Sequence, residues 1–253
     1  MSGGEPLTKL ELYELCLQSP RHVVPLLCAI HGRHPAALGE DFAGTAALSH
    51  AWTKQVDGGR AIAVDTDADA LAYHGDSPRI EKIHADVLDV HAPCDVLFVG
   101  NFSIGYFHSR PELVRYLAHA RGRVRPGGVF LCDTYGGESS FLTGAVHRDH
   151  PILEGPHRGK RVRYTWEQRE ADPLTGMVTD VCHFRVDAGG VIEQEIPDAF
   201  VYRWRLWAVP ELRDAMADAG FENTEVYDKT PDAVDEAGEA YARPVDEIGR
   251  AHV

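Results

Sequence analysis

What this sequence lacks removes several large classes of function. Its five cysteines (Cys16, Cys28, Cys94, Cys132 and Cys182) are scattered through 253 residues. They form no Cys-x-x-Cys pair, so neither a disulfide framework nor a structural zinc site is expected, and buried free thiols are the better reading. Fourteen histidines are present. No His-Glu-x-x-His occurs, however, and pairs such as His147 and His150 have no carboxylate company, so no protein-bound metal is expected. There is no long apolar run and no signal peptide; the chain is expected in the cytoplasm, away from membranes. No basic run offsets a formal net charge of −14, from 39 acids against 25 bases. Such a surface repels a phosphate backbone, and nucleic acid is not expected as a partner. No Gly-x-Gly-x-x-Gly follows the first strand and no Tyr-x-x-x-Lys pair exists, which argues against a nicotinamide dinucleotide. A Gly-x-Ser-x-Gly nucleophile elbow is also missing, which removes the common α/β-hydrolase reading.

What is present is a chain that is 44% apolar, enough to bury a core. Its length suits one α/β domain with an insertion, or two small domains. Two helices open it, over 8–18 and after Ser19-Pro20, the second closing at Gly32. They either lid the ligand end of the sheet or merely cover it. Short apolar strands then alternate with helices: strands over 36–40, 60–65, 80–85, 95–100 and 129–134, helices over 45–55, 68–74 and 111–123. That pattern predicts a parallel sheet covered on both faces. Over 160–207 the period changes to two. Val162, Tyr164 and Trp166 alternate with Arg161, Arg163, Thr165 and Glu167, and further strands follow over 178–186, 191–196 and 200–207. This predicts an inserted antiparallel sheet of three or four strands. A helix from Pro210 to Gly220 and a strand over 221–227 return to the core. The expected organisation is a helical cap over 1–34, a core over 35–135 and 208–229, an insertion over 136–207, and an acidic tail over 230–253.

The centre of the pattern is Glu40-Asp41-Phe42-Ala43-Gly44-Thr45-Ala46: strand end, acids, glycine turn, helix start. That layout brings a nucleotide-like ligand to the carboxyl end of a parallel sheet, beside a helix N-terminus. Three more features follow at the ends of consecutive strands. Asp65 lies 25 residues after Glu40, a distance that suits paired ribose hydroxyls, which one carboxylate can accept together. Asp86 and Val87 are placed to accept from an exocyclic amine and to stack on a base. Asn101-Phe102-Ser103-Ile104-Gly105-Tyr106-Phe107 forms the fourth. Jointly they define one nucleoside-binding crevice.

Glu-Asp-Phe-Ala-Gly-Thr-Ala (40–46), Ala-Val-Asp-Thr-Asp (63–67), Ala-Asp-Val-Leu-Asp (85–89), Asn-Phe-Ser-Ile-Gly-Tyr-Phe (101–107) and Arg-Pro-Gly-Gly-Val-Phe-Leu (125–131) resemble the class I S-adenosylmethionine-dependent methyltransferases. Within that family the chain looks like small-molecule enzymes with an antiparallel insertion before the penultimate strand. The resemblance covers about residues 10–228. It implies a Rossmann-like, mostly parallel sheet with helices on both faces, S-adenosyl-L-methionine as cofactor, and S-adenosyl-L-homocysteine as product. It further implies that Glu40 and the backbone at Phe42, Ala43 and Gly44 hold the methionine end. Asp65 would bind the ribose, with Thr66 beside the adenine. Asp86 and Val87 would hold the adenine, and Asn101 with Phe102 would lie near the sulfonium. Tyr13 would close over the methionine carboxylate. Two departures stand out: Phe42 replaces a usual glycine, so the loop is expected to tolerate a side chain or change its path, and residues 247–253 are a poor seventh strand.

Asn-Phe-Ser-Ile at 101–104 is not the Asn/Asp-Pro-Pro-Tyr associated with protein and nucleic-acid amines. With the acidic surface, this points to a free small-molecule acceptor, N- or O-methylated by a monomer or homodimer. Methyl transfer is chiefly a matter of alignment, and a base is needed only for a protonated acceptor. Asn101, Tyr135 and His108 are the candidate catalytic residues, with His147 behind them. Tyr106, Arg163, Trp166, Tyr202 and Trp204 are the candidate acceptor residues. Inward arginines would mean an anionic acceptor; inward aromatics, a flat or cationic one. The alternative is a cofactor-binding protein of the same fold without transferase activity.

Overall fold

The computed structural model describes residues 5–18, 20–137 and 139–227. Its residues cluster into two compact units.

The first unit carries a five-stranded parallel sheet. Its strands are β1 (Ala37–Asp41), β2 (Arg60–Asp65), β3 (Ile80–His84), β4 (Cys94–Val99) and β5 (Val124–Cys132), in spatial order β3-β2-β1-β4-β5. Every pairing is parallel. All five residues of β1 are buried, as a central parallel strand requires. Gly39 is the place where β1 is approached most closely: a Cβ there would meet Leu97 Cδ1 at 2.7 Å. Among the described residues, five helices belong to this unit: α2 (Pro20–His31), α3 (Ala47–Gln55), α4 (Ala68–Ala72), α5 (Arg110–Arg123) and α6 (Val209–Asp218). Their ends are fixed locally. Asp67 accepts from Ala70 N to cap α4, and Ser109 and Glu112 form a capping box on α5, with Pro111 in its first turn. Leu27, Leu38, Trp52, Ala63 and Val96 are fully buried and anchor the core.

The second unit is the antiparallel sheet. Its strands are β6 (Gly144–Pro151), β7 (Arg161–Asp172), β8 (Met177–Ala188) and β9 (Val191–Arg205), in order β6-β7-β8-β9. Helix α1 (Lys9–Leu17), started by a Thr8–Glu11 capping box, joins this unit. Leu12 of α1 is fully buried in its core with Val162, Tyr164, Cys182 and Phe184. The two helices read together as a cap over 1–34 are thus divided: α1 clusters with the antiparallel sheet and α2 with the parallel one.

Three expectations need correction. The strands expected over 191–196 and 200–207 are one strand, β9, carried through a register shift opposite Cys182–Phe184, where Asp198 has φ 48°. Strand β6 was not anticipated, because its side chains are almost all exposed and leave no apolar pattern. No strand forms over 221–227 among the described residues. There the N–H of Phe221 closes α6 on Met216 O, the Phe221 ring packs on Phe130, and Asn223 and Tyr227 both bond Glu225. The expected tail over 230–253, and with it the question of a seventh strand, lies outside the described residues. No helix among those described is long and apolar enough to cross a membrane.

Candidate functional site

In the parallel unit, the strand order reverses between β1 and β4, the position at which open α/β sheets bind ligands beyond their carboxyl ends. The turn after β1 is built with alternating handedness. Phe42, Gly44 and Ala46 have φ of 58°, 53° and 58°, while Ala43 and Thr45 are not left-handed. Successive N–H groups in such a turn converge on a concave, anion-binding surface. Three of them are already used: Ala43 N donates to Val64 O at 2.9 Å, Gly44 N to Asp65 Oδ2 at 2.6 Å and Ala46 N to Ala43 O at 2.8 Å. A Cβ at Gly44 would meet nothing within 4 Å, so there is open space above the turn. Phe42 therefore follows the path a glycine would take, at a cost on the order of 1–2 kcal/mol, with its ring edge-on to Tyr116 at 6.2 Å.

Glu40 sits beneath this turn. It is buried, and its Oε2 accepts from Ser49 N at 2.8 Å and from Ser49 Oγ at 2.5 Å. Helix α3 has no side-chain cap of its own, so a carboxylate from the neighbouring strand serves its first turn. Burial pushes the Glu40 carboxyl up to about 7, against the lowering effect of the Ser49 bonds. Its neighbour Asp41 faces the other way. Fully buried, it accepts from Arg123 Nη1 at 2.8 and 2.9 Å and from the Tyr116 hydroxyl at 2.8 Å. Asp41 is committed to holding β1 to α5.

The other strand ends follow. Asp65 gives its second oxygen to Asp67 N at 2.9 Å, using two of about four acceptor positions. The carbonyl of Thr66 accepts from His84 Nε2 at 3.0 Å. Asp86 is exposed and caps a short 3-10 turn through Leu88 N at 2.8 Å, while Val87 beside it is buried. After β4, Asn101 and Phe102 are both left-handed, with φ of 54° and 61°. Consecutive non-glycine residues rarely hold that conformation unless their surroundings impose it. Asp133, just past β5, accepts from both N–H groups, at 3.0 Å from Asn101 and 2.7 Å from Phe102. Burial raises its carboxyl to about 6. The sequence reading missed Asp133, since an acid after an apolar strand looks like any turn former.

In the antiparallel unit, register assigns the side chains to two faces. One face carries Tyr164, Trp166 and Gln168 of β7, Asp180, Cys182 and Phe184 of β8, and Phe200, Tyr202 and Trp204 of β9. Tyr202 stacks on Trp204 at 4.4 Å, and Trp166 lies 6.0 Å from Trp204. Tyr106 meets Trp204 edge-on at 6.0 Å, and Tyr135 meets Trp166 at 6.3 Å. Tyr13 packs on Phe200 at 5.0 Å and hydrogen-bonds Tyr202. Tyr13, Tyr106, Tyr135, Trp166, Tyr202 and Trp204 are thus brought to one aromatic face.

Arg163 is not with them. It points to the opposite face, where it pairs with Asp149 through two bonds. Arg161 pairs there with Asp187, and Arg169 with Glu167 and Asp198. His183, Glu167 and Asp198 on that face approach the geometry of a metal site. The Arg169 guanidinium already bonds both acids, and His183 uses both ring nitrogens, on Glu167 Oε2 and Asp198 N. His108 donates Nε2 to the Arg203 carbonyl at 2.8 Å, and His147 is exposed with Nδ1 on Thr165 Oγ1. Neither histidine reaches the aromatic face. The Tyr135 hydroxyl donates to Asp180 Oδ2 at 2.7 Å. Burial, then this bond, hold the phenol far above its ordinary pKa, so Tyr135 keeps its proton at neutral pH. Asp180, unanticipated from the sequence, is completely buried, and burial raises its carboxyl to about 6.

No protein-family model and no curated protein matches the chain. Solved structures do. DesVI of Streptomyces venezuelae superposes with a TM-score of 0.71 at 16% identity, over 90% of this chain and 92% of that one. The sugar N-methyltransferase KedS8 of Streptoalloteichus gives 0.67 at 16% identity, over 90% of each chain. CalS10 of Micromonospora echinaspora, an amino pentose methyltransferase solved with bound S-adenosylmethionine, gives 0.68 at 15% identity, over 95% of this chain and 97% of that one. The chain has the fold of S-adenosylmethionine-dependent methyltransferases. Its five-stranded parallel sheet with flanking helices and its separate four-stranded antiparallel sheet match that fold.

Proposed function

We propose that the protein transfers a methyl group from S-adenosylmethionine to a nitrogen atom of a small-molecule acceptor. One observation carries the cofactor half: three carboxylates, Glu40, Asp65 and Asp86, stand at the ends of consecutive parallel strands, around an open turn of alternating handedness. The donor set suits the cofactor. The Glu40 carboxylate matches the methionine ammonium. Asp65 retains acceptor capacity for the ribose hydroxyls. Asp86 and Val87 present an acid and an apolar surface to the adenine. When bound, the cofactor supplies an electrophilic methyl on a sulfonium. The chain's own task is to orient it, and Asp133 does part of this by fixing Asn101 and Phe102.

The acceptor half rests on the antiparallel unit. Arg161, Arg163 and Arg169 pair with acids on one face and the aromatic rings gather on the other, which favours a ring-shaped or cationic acceptor over an anionic one. The nitrogen assignment also draws on the sugar N-methyltransferase activity named for KedS8. Tyr13 belongs with the acceptor residues, since its partners are Phe200 and Tyr202.

The test is turnover with methyl-labelled S-adenosylmethionine against a panel of amino sugars and matched hydroxy sugars. Label transfer to amines, with S-adenosylhomocysteine formed in equal amount, is the expected result. Transfer to hydroxyls only would overturn the nitrogen assignment, and cofactor binding without transfer to any member would favour a cofactor-binding protein.

A further inference from the structure

Asp180 is an expensive residue for its position. It is fully buried, and register makes it the only acid that β6, β7, β8 and β9 place on the aromatic face. One oxygen accepts from Tyr135. Among the described residues, no donor reaches the other, Oδ1. Nor does a cation offset the charge. The bases facing the same side are Lys9, which lies over the Phe200 ring, and Arg148, which register sets opposite Tyr164; neither bonds Asp180. A buried carboxylate without a cation is strongly disfavoured unless it is protonated or a ligand neutralises it. What surrounds it is chemically specific. Gln168 and Tyr202 are its cross-strand neighbours, and the Trp166, Tyr202 and Trp204 rings line the same face. Aromatic faces with one carboxylate beneath them are suited to an organic cation.

We propose that this face of the antiparallel unit is a binding site for a protonated amine, with Asp180 as its counter-charge and Tyr135 as the group that meets the nitrogen. This deepens, and rests on, the reading of the chain as an N-methyltransferase. Tyr135 is half-buried, and its hydroxyl hydrogen is directed at Asp180, so its oxygen can accept from an ammonium. Gln168 steadies the arrangement. Its Oε1 lies 3.3 Å from the Tyr135 hydroxyl, and its Nε2 donates to the carbonyls of Ser140 and Leu142.

The same pair can free the amine for reaction. An ammonium N–H bond breaks as an O–H bond forms on Tyr135; the original Tyr135 O–H bond breaks as its proton passes to Asp180 Oδ2. The products are a neutral amine, an unchanged phenol and a protonated carboxyl, so atoms and charge balance. Tyr135 is the catalytic residue of this step, and Asp180 acts through it.

The test uses the whole protein and two probes of similar shape, cyclohexylammonium and cyclohexanol, followed by the fluorescence of the tryptophans and by calorimetry. The ammonium is expected to bind at least tenfold more tightly than the alcohol. Asp180→Asn keeps the shape of the side chain and an acceptor for Tyr135 but removes the charge, and is expected to abolish that preference. Equal binding of both probes, no binding of the ammonium, or an undiminished preference in the Asn variant would overturn the proposal. S-adenosylhomocysteine binding, measured on the same samples, separates the two readings. Cofactor binding without ammonium preference defeats the amine site alone, and ammonium preference without cofactor binding defeats the methyltransferase reading alone. A retained melting temperature in Asp180→Asn shows that the variant is folded; if it unfolds, Tyr135→Phe carries the same test, with a loss of preference expected and full retention contradicting the proposal.

Discussion

The backbone N–H of Gly44 donates to Asp65 over 2.6 Å, so the turn after β1 is tied to the end of β2 by the carboxylate assigned to the ribose. On the proposed reading, Asp65 has two duties. Asp65→Ala is expected to weaken S-adenosylhomocysteine binding about 10- to 100-fold, the scale of one or two lost hydrogen bonds to a charged group. Asp65→Asn keeps one acceptor oxygen and should fall between. Calorimetry on the three proteins checks this, and equal affinity for all three would remove Asp65 from the site.

Glu40 links binding to pH. Its folded-state pKa is raised to about 7 by burial, above the value of 4.5 that applies without the fold. The sign follows from linkage. The stability favoured by the protonated form is complete below about pH 4.5 and is lost as pH rises through about 7, on the order of 3 kcal/mol in all. Glu40→Gln should therefore melt higher than the parent at pH 8, with the advantage shrinking towards pH 5. The same variant should bind S-adenosylhomocysteine poorly, and the parent's affinity should fall as pH drops below 7. Thermal melts and calorimetry at pH 5, 6.5 and 8 read both effects. A variant less stable at every pH, with cofactor affinity unchanged, would contradict this role.

Asp133 holds Asn101 and Phe102 in a conformation neither residue favours. Replacing it with alanine leaves two N–H groups without their acceptor and frees the loop. A loss of about 1.5–3 kcal/mol is expected, together with weaker cofactor binding. Denaturant titration and calorimetry check the pair. Unchanged binding beside lowered stability would make Asp133 a structural residue only.

The ion pair between Arg123 and Asp41 joins α5 to β1, with both side chains buried. Burial raises the Asp41 carboxyl despite the guanidinium beside it. Arg123→Ala strands that carboxylate and should cost about 3–5 kcal/mol. The double variant Asp41→Leu/Arg123→Met removes both charges and should be less destabilised than the single one. Denaturation midpoints decide, and a double variant worse than Arg123→Ala would refute the argument.

How much was legible depends on what each residue pattern encodes. Arg60–Asp65 was read to the residue, because a buried parallel strand is a continuous apolar run between turn signals. The ladder of β7 and β8 was legible because alternation fixes which face is apolar. Strand β6 was not, since Val146, His147, Arg148 and Asp149 are held by backbone pairing at an exposed edge. Phe221 to Tyr227 offered apolar residues, but its backbone and side chains are used in closing α6 and in local bonds. In the site, the strand-end acids could be found from their order. The partners Asp133 and Asp180 could not, because each is joined to its target across a long stretch of sequence. Tyr135 was read as a candidate base from its place after the fifth strand, yet its bond to Asp180 makes it a phenol that keeps its proton.

The most direct test of the account is calorimetry with S-adenosylmethionine, S-adenosylhomocysteine and NAD in parallel. The account predicts one site per chain, micromolar affinity for both adenosyl ligands, and no heat with NAD. Silence from both adenosyl ligands, or binding of NAD in their place, would contradict it.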